Sequence, residues 1–325
     1  MTLRIGLDIG GTKTAALVVD AHGRSLGRAV RPTDVASPAR LVAGTVAVVE
    51  DVLRDAGRDA DIFAAGVSAV GVGVPGQVDP LNGTVRLAVN LNLREPYPLR
   101  QALQEALGVP VALENDVRAA AWGAYRWACE REPLSSLAYL SIGTGIAAGL
   151  VLDGRLYRGA HGMAGEIGHI PVDPTGPRCV CGAYGCLEAF AAGPAIAAQA
   201  AEINPGRDEG PLSTVEVYRL AAAGHPVARR IIERAAGYLS RAIYLLLMAY
   251  DVEKVVLGGG VTRAGAAFER PLRAAMEAMR SDSPLTASMM PDEKVVVLPS
   301  DYNAGVMGAV YLAPVPTSEI LAGGK

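Results

Sequence analysis

Leu3-Arg-Ile-Gly-Leu-Asp-Ile-Gly-Gly-Thr-Lys-Thr-Ala-Ala-Leu-Val-Val19 reads as an apolar strand, a break at Gly10-Gly11, and a second apolar strand from Thr14. His22-Gly23 turns the chain into a third strand. Ser37 then caps a helix with Pro38 at its first position, running toward Leu53. The same order recurs in the second half. Leu137 to Ile142 is apolar, Gly143-Thr144-Gly145 turns, Ile146 to Leu152 returns, and Asp153-Gly154 is a strong hairpin turn. An apolar segment from Ala64 to Val74 ends in Pro75-Gly76, and Val255 to Leu257 stops at Gly258-Gly259-Gly260. Helices are predicted from Ser213, where Glu216 completes a capping box, and from Pro226 to Tyr250. Two copies of a hairpin and glycine turn predict a duplicated α/β fold with a cleft between the copies.

The composition sets bounds on partners. The chain has 325 residues, enough for two cores; 50% are hydrophobic and only 5% aromatic, so Ala, Val and Leu must fill them. A formal net charge of -3, with scattered arginines, argues against nucleic acid and anionic membranes. Met1 to Arg4 lacks the basic and apolar regions of a signal peptide, so a cytoplasmic location is expected. Arg229, Arg230, Glu233, Arg234 and Arg241 make the long Pro226 helix a core element rather than a membrane span.

Three glycine patterns compete for a nucleotide. Gly71-Val-Gly73-Val-Pro-Gly76 and Gly143-Thr-Gly145-Ile-Ala-Ala148 resemble dinucleotide fingerprints, but that motif must open a helix. Pro75, Pro80 and Asn82-Gly83 forbid one after the first, and the Asp153-Gly154 hairpin forbids one after the second. Gly6 to Lys13 has its lysine one place late for a P-loop and runs into a strand. What remains is a phosphate-binding hairpin. Gly10, Gly11 and Thr12 let backbone N–H groups approach phosphate, and Asp8 stands ready for a hydrated Mg²⁺. A tight hairpin turn without a ligand explains the same residues equally well.

Cys179, Cys181 and Cys186 are spaced as a local metal loop rather than a disulfide framework. With His169 they make the four-ligand set of a structural zinc, the flexible Gly182 and Gly185 lying between ligands. Cys129 lies apart at a helix end.

Asp8-Ile-Gly-Gly-Thr-Lys13, Glu114-Asn-Asp116, Gly165-Glu-Ile-Gly-His169 and Cys179-Val-Cys-Gly-Ala-Tyr-Gly-Cys-Leu-Glu188 occur in that order. Together they resemble the ROK family of bacterial sugar kinases and sugar-responsive repressors, from about Leu3 to Ala313. The resemblance implies a two-lobed, actin-like (RNase H-like) α/β fold with ATP and sugar in the interlobe cleft. The first lobe would span residues 1–120, completed by a C-terminal helix at about 305–325, and the second 121–304.

By the same resemblance Asp116 is the catalytic base. Asn115, Glu166, His169, Glu188 and Gly76, with Gln77 nearby, would contact sugar. Gly10, Gly11 and Thr12 would face phosphates, Lys13 would either offset phosphate charge or lie exposed on its strand, and Gly143, Thr144 and Gly145 would be the matching loop, with Gly258, Gly259 and Gly260 beside adenosine. Asn115 is also read as the N-cap of the helix that follows. ATP, Mg²⁺ and a structural Zn²⁺ are the implied cofactors, and a homodimer or homotetramer is expected.

Many glucokinases of this family continue Glu-Asn-Asp with Ala-Asn-Ala, whereas this chain has Val117-Arg118-Ala119. Arg118 is expected either to touch a phosphate or to face solvent. The phosphate hairpin begins at Leu3, which disfavours a repressor with its preceding helix-turn-helix. Val74-Pro-Gly-Gln-Val-Asp-Pro80 and Val89-Asn-Leu91 look most like the glucokinase branch. Fructose, mannose, allose, N-acetylmannosamine and N-acetylglucosamine are the alternative acceptors.

Overall fold

The computed structural model describes residues 2–203 and 212–314. The chain folds as two compact units. The first comprises 1–133, 158–163 and 303–325, and the second 134–157 and 164–302. A division after Ala120 would cut a single helix, Asp116–Cys129, which lies wholly in the first unit. The segment expected as a helix to 325 is helical at Ala304–Leu312, and 315–325 lies outside the described residues.

In the first unit the strands are β1 (Leu3–Ile9), β2 (Lys13–Val19), β3 (Ser25–Pro32), β4 (Val67–Val74), β5 (Gln77–Asp79), β6 (Thr84–Leu87) and β7 (Val111–Asn115). Its sheet runs β3-β2-β1-β4-β7, and β5-β6 is a separate hairpin. The first two pairings are antiparallel and the last two parallel. In the second unit, β8 (Leu137–Ile142), β9 (Ile146–Leu152), β10 (Arg155–Tyr157), β11 (Lys254–Gly258) and β12 (Val295–Val297) run β10-β9-β8-β11-β12. The alternation of pairings is the same, strand for strand. The duplication predicted from the two glycine turns is therefore a duplication of topology.

The helices are α1 (Pro38–Asp55), α2 (Leu99–Leu107) and α3 (Asp116–Cys129) in the first unit, then α4 (Glu188–Ala191), α5 (Gly193–Gln199), α6 (Thr214–Ala222), α7 (Pro226–Tyr250), α8 (Ala266–Asp282) and α9 (Pro284–Met289) in the second. The first unit is completed by α10 (Ala304–Leu312). Caps read from sequence form as expected. Ser37 Oγ accepts from Arg40 N, and Ser213 with Glu216 forms a full capping box.

Leu3, Ile5, Leu7 and Ile9 alternate into one face of β1 and belong to a core with Leu41, Val48, Val49 and Val52 of α1. On the other face the helices lie unusually close. A Cβ on Gly71 would fall 1.8 Å from Ala309 O of α10, and one on Gly308 would fall 1.7 Å from Ala119 O of α3. Only glycine lets α10 press against both β4 and α3, which fixes the start of α3 relative to the sheet. In the second unit α7 supplies the spine of the core, with Ile231, Ile232, Leu239, Ile243 and Leu247 buried among β8 and β11 residues.

Candidate active site

Within the first unit, β1, β4 and β7 are parallel, so their carboxyl ends meet at one edge of the sheet. Open α/β sheets bind ligands at such ends. Asp8 pairs in register with Gly73, and Val74 with Asn115, which brings the phosphate hairpin, Gly76 and Asn115-Asp116 together. The β1–β2 turn is closed by Gly10 N donating to Lys13 O at 2.9 Å. Thr12 and Lys13 are exposed beside it. Gly76 has φ +93° and lies flush on Leu87 O, where a Cβ would fall at 2.2 Å. No other residue fits there without strain.

Asn115 is both cap and clamp. Its Oδ1 accepts from Val117 N and Arg118 N at 3.0 and 3.1 Å, and its Nδ2 donates to Gly76 O at 3.1 Å. The second hydrogen of Nδ2 has no acceptor among the described residues. Asp116 follows at the first position of α3, its Oδ1 accepting from Val117 N at 2.9 Å. The N-cap reading of Asn115 is thus correct, and the helix dipole favours an ionised Asp116.

Burial pushes Asp8 up to about 6, with the nearby Asp116 charge adding to the effect and Lys13 opposing it. A carboxyl raised by burial and by a neighbouring carboxylate is a site a divalent cation would relieve. Asp8 therefore weakens the metal-free fold. As pH falls from about 6 toward 3.8 the folded form takes the proton first, so the penalty is full above that window and vanishes below it. Asp8→Asn should accordingly melt higher than the wild type at pH 7, by about 1–3 kcal/mol of stability, with no gain near pH 4. Calorimetric scans at the two pH values check this; a variant less stable at pH 7 contradicts it.

In the second unit, Gly165–His169 lies along the start of β9. Ala148 N donates to Gly165 O at 2.7 Å, and a Cβ on Gly165 would fall 1.8 Å from Ala148 O. This contact leaves Glu166 exposed, with no side-chain partner among the described residues, and half-buries His169. Glu188 sits differently from a free sugar ligand. Its Oε2 accepts from Ile146 N at 2.8 Å, fixing it against Gly145 at the β8–β9 turn.

The remaining glycine turns of this unit also meet. Gly193 N donates to Gly143 O at 2.8 Å, and a Cβ on Gly143 would sit 3.7 Å from Gly260 N. Gly259, at φ +99°, packs on Ile142 O. These turns lie at the carboxyl ends of the parallel β8 and β11. A mostly apolar cavity of about 400 Å³ is lined by Ile167, Ile170, Val172, Leu187, Leu245 and Met248, with Arg241 and Tyr244 at its wall. It lacks the convergent polar groups a sugar needs.

His169, Cys179, Cys181 and Cys186 have ligand atoms all within 4.8 Å of one another. Cys181 Sγ lies 3.7 Å from Cys186 Sγ, and Cys179 Sγ lies 3.6 Å from His169 Nδ1. A tetrahedral zinc with Zn–S of about 2.3 Å puts its ligands roughly 3.6–3.8 Å apart. Cys179 and Cys186 are buried, and burial pushes the Cys186 thiol up to about 12. The donor set and spacing fit zinc, which would hold such a thiol as thiolate. His169 faces the cysteines through Nδ1, which leaves Nε2 for another partner.

Arg118 neither touches a phosphate hairpin residue nor faces solvent. It is 4% exposed, and its Nε donates to Glu114 Oε1 at 2.7 Å. Arg158 binds the other oxygen of Glu114, at 2.8 Å from Nε. Sequence reasoning gave Glu114 no role beyond its place in a motif and missed Arg158 altogether. The Glu114–Arg118 spacing of four was a visible signal, but it straddles a strand and a helix and reads as a surface pair.

The topology and the carboxylates at the ends of β1 and β7 define a class: a duplicated, actin-like α/β protein with a glycine hairpin between the first two strands of its first sheet. A model of the ROK family matches residues 4–315, and the chain belongs to that family. The glucokinase of Streptomyces coelicolor is 32% identical over 329 residues, 97% of this chain and 99% of that protein. The N-acetylmannosamine kinase of Vibrio cholerae is 30% identical over 309 residues, 94% of this chain and 98% of its own length. A crystal structure of a ROK family glucokinase from Streptomyces griseus with glucose and AMPPNP matches with a TM-score of 0.74 at 32% identity, over 96% of this chain and 99% of that one. Among the described residues no helix is long and apolar enough to cross a membrane.

Proposed function

We propose that this chain is an ATP-dependent sugar kinase in which Asp116 is the general base. The observation that carries this is the meeting of Asp8, Gly76, Asn115 and Asp116 at the carboxyl ends of three parallel strands. Phosphoryl transfer asks little covalent chemistry of a protein. It needs the acceptor hydroxyl placed in line and its proton taken late by a carboxylate. Asp116, held by the first turn of α3, is suited to orient that hydroxyl and accept its proton. Asn115 Nδ2 supports a neighbouring hydroxyl, and the Gly76 carbonyl that it grips sets the height of that contact.

Gly10, Gly11, Thr12 and Lys13 would face the phosphates, and Asp8 would hold the water shell of Mg²⁺. Bound with ATP, that ion supplies neutralisation of the phosphate charge. In the second unit Gly143, Thr144 and Gly145 would be the matching phosphate loop, with Gly258 to Gly260 beside adenosine. Glu166, His169 through Nε2, and the remaining oxygen of Glu188 would accept or donate to sugar hydroxyls. Zinc on Cys179, Cys181, Cys186 and His169 Nδ1 would set the tautomer of His169 and pin its turn.

Glucose is the acceptor we favour, on the segments Val74–Pro80 and Val89–Leu91. N-acetylmannosamine is the second reading, supported by relatives of nearly equal identity. A coupled-enzyme panel of ATP with glucose, mannose, fructose, allose, N-acetylglucosamine and N-acetylmannosamine separates them. Glucose should give the highest kcat/KM; a higher value for N-acetylmannosamine overturns the assignment of acceptor but not of reaction.

A further inference from the structure

Glu114 is 1% exposed and lies immediately before Asn115 and Asp116. It accepts three hydrogen bonds and makes one further ion-pair contact. Oε1 takes Asn115 N at 2.9 Å and Arg118 Nε at 2.7 Å; Oε2 takes Arg158 Nε at 2.8 Å and lies 2.7 Å from Arg158 Nη2. Arg118 Nη1 donates in turn to Gly162 O at 2.8 Å, so the guanidinium joins the end of β7 to the 158–163 segment of the same unit.

Stability alone accounts poorly for Arg118. It is a cation in the first turn of α3, where the helix dipole disfavours positive charge. Its Nη2 is buried and has no hydrogen-bond partner among the described residues. Two cations surround one carboxylate, and buried ion pairs can often be replaced by apolar side chains at no loss of stability. A residue that breaks so many local rules beside a reactive carboxylate belongs to the site. What the cluster does achieve is geometric. It fixes the Glu114 carboxylate against the Asn115 N–H, and with it the backbone that aims Asn115 and Asp116.

We propose that Arg118, with Arg158 as its outer partner, is a positioning residue: through Glu114 it sets the orientation of Asn115 and Asp116 toward the sugar. This inference rests on the sugar-kinase reading above. Lysine cannot replace Arg118, because one ammonium on a flexible stem does not present the planar fork that reaches Glu114 and Gly162 together.

The test measures kcat and both KM values for Arg118→Met, Arg118→Lys and Arg158→Gln, with folding followed by circular dichroism. Arg118→Met and Arg118→Lys should stay folded, raise sugar KM and lower kcat by roughly tenfold or more, and leave nucleotide KM within about twofold. Arg158→Gln, whose site is 41% exposed and tolerates substitution, should shift the same two parameters by a smaller factor. In an Asp116→Asn background the further kcat loss from Arg118→Met should disappear, because a residue acting through the base has nothing left to position. Wild-type sugar KM and kcat in folded Arg118→Met overturn the proposal. If Arg118→Met does not fold, unchanged parameters in Arg158→Gln overturn it. A wild-type enzyme without sugar-dependent turnover would instead overturn the kinase reading itself.

Discussion

Asp116→Asn should lower kcat by ~10² or more while sugar affinity changes little. The exchange preserves size and the oxygen that accepts from Val117 N, so α3 and the Asn115 cap should survive. What disappears is the carboxylate able to take a proton from the attacking hydroxyl. Because that proton moves late in a loose transition state, ground-state binding does not depend on it. Steady-state kinetics with calorimetric titration of sugar check both halves. Near-wild-type turnover would place the base elsewhere, and the exposed Glu166 would be the next carboxylate to test.

Loss of the metal should produce the second large effect, of the opposite kinetic kind. Zinc removal by chelation, or Cys181→Ala, should raise sugar KM by about 10–100-fold, the range typical for disturbed metal-site support, and leave nucleotide affinity nearly unchanged. Cys181 is the exposed member of the cluster, so its loss opens no core cavity. The reason is local. Leu187 N donates to Ile170 O at 3.1 Å, and a zinc held by Cys186 and His169 would tie the two segments again, so the cysteine loop and the Glu166–His169 turn move as one. The strands β8, β9 and β11 do not run through that loop, and the fold of the unit should persist. Elemental analysis of active protein and calorimetry with a non-hydrolysable nucleotide test the proposal independently of turnover. Active protein free of zinc, or intact sugar affinity in Cys181→Ala, contradicts it.

Local patterns carried most of what was legible in sequence. β8, β9 and α7 have the limits expected from their apolar runs and turn residues, because Gly143-Thr144-Gly145, Asp153-Gly154 and Pro226 punctuate them sharply. The clustering of His169 with the three cysteines was equally legible, since the cysteines lie within one short loop and the histidine just before it. The β5–β6 hairpin and α2 were not read. Pro80 and Asn82-Gly83 mark only the turn, and the short strands around it have too few residues for a period to emerge. Contacts far apart in sequence were invisible for a different reason. Arg158 reaches Glu114 across 44 positions, and nothing in either neighbourhood announces the pairing. The influence of Asp116 on Asp8 likewise exists only once β1 and β7 flank β4. Arg118 read as a cation that either touches a phosphate or faces solvent, because burial of a charge is a property of the folded unit, not of its flanking residues.

Sugar-dependent phosphoryl transfer is the claim on which the roles of Asp116, Asn115 and Arg118 all depend. It is tested most directly by phosphorus NMR of the purified protein with Mg²⁺, ATP and glucose, run beside the same mixture without sugar. Equimolar ADP and a sugar monophosphate should accumulate only when sugar is present. Inorganic phosphate released at the same rate with and without sugar, or no consumption of ATP with any hexose or aminosugar of the panel, would contradict it.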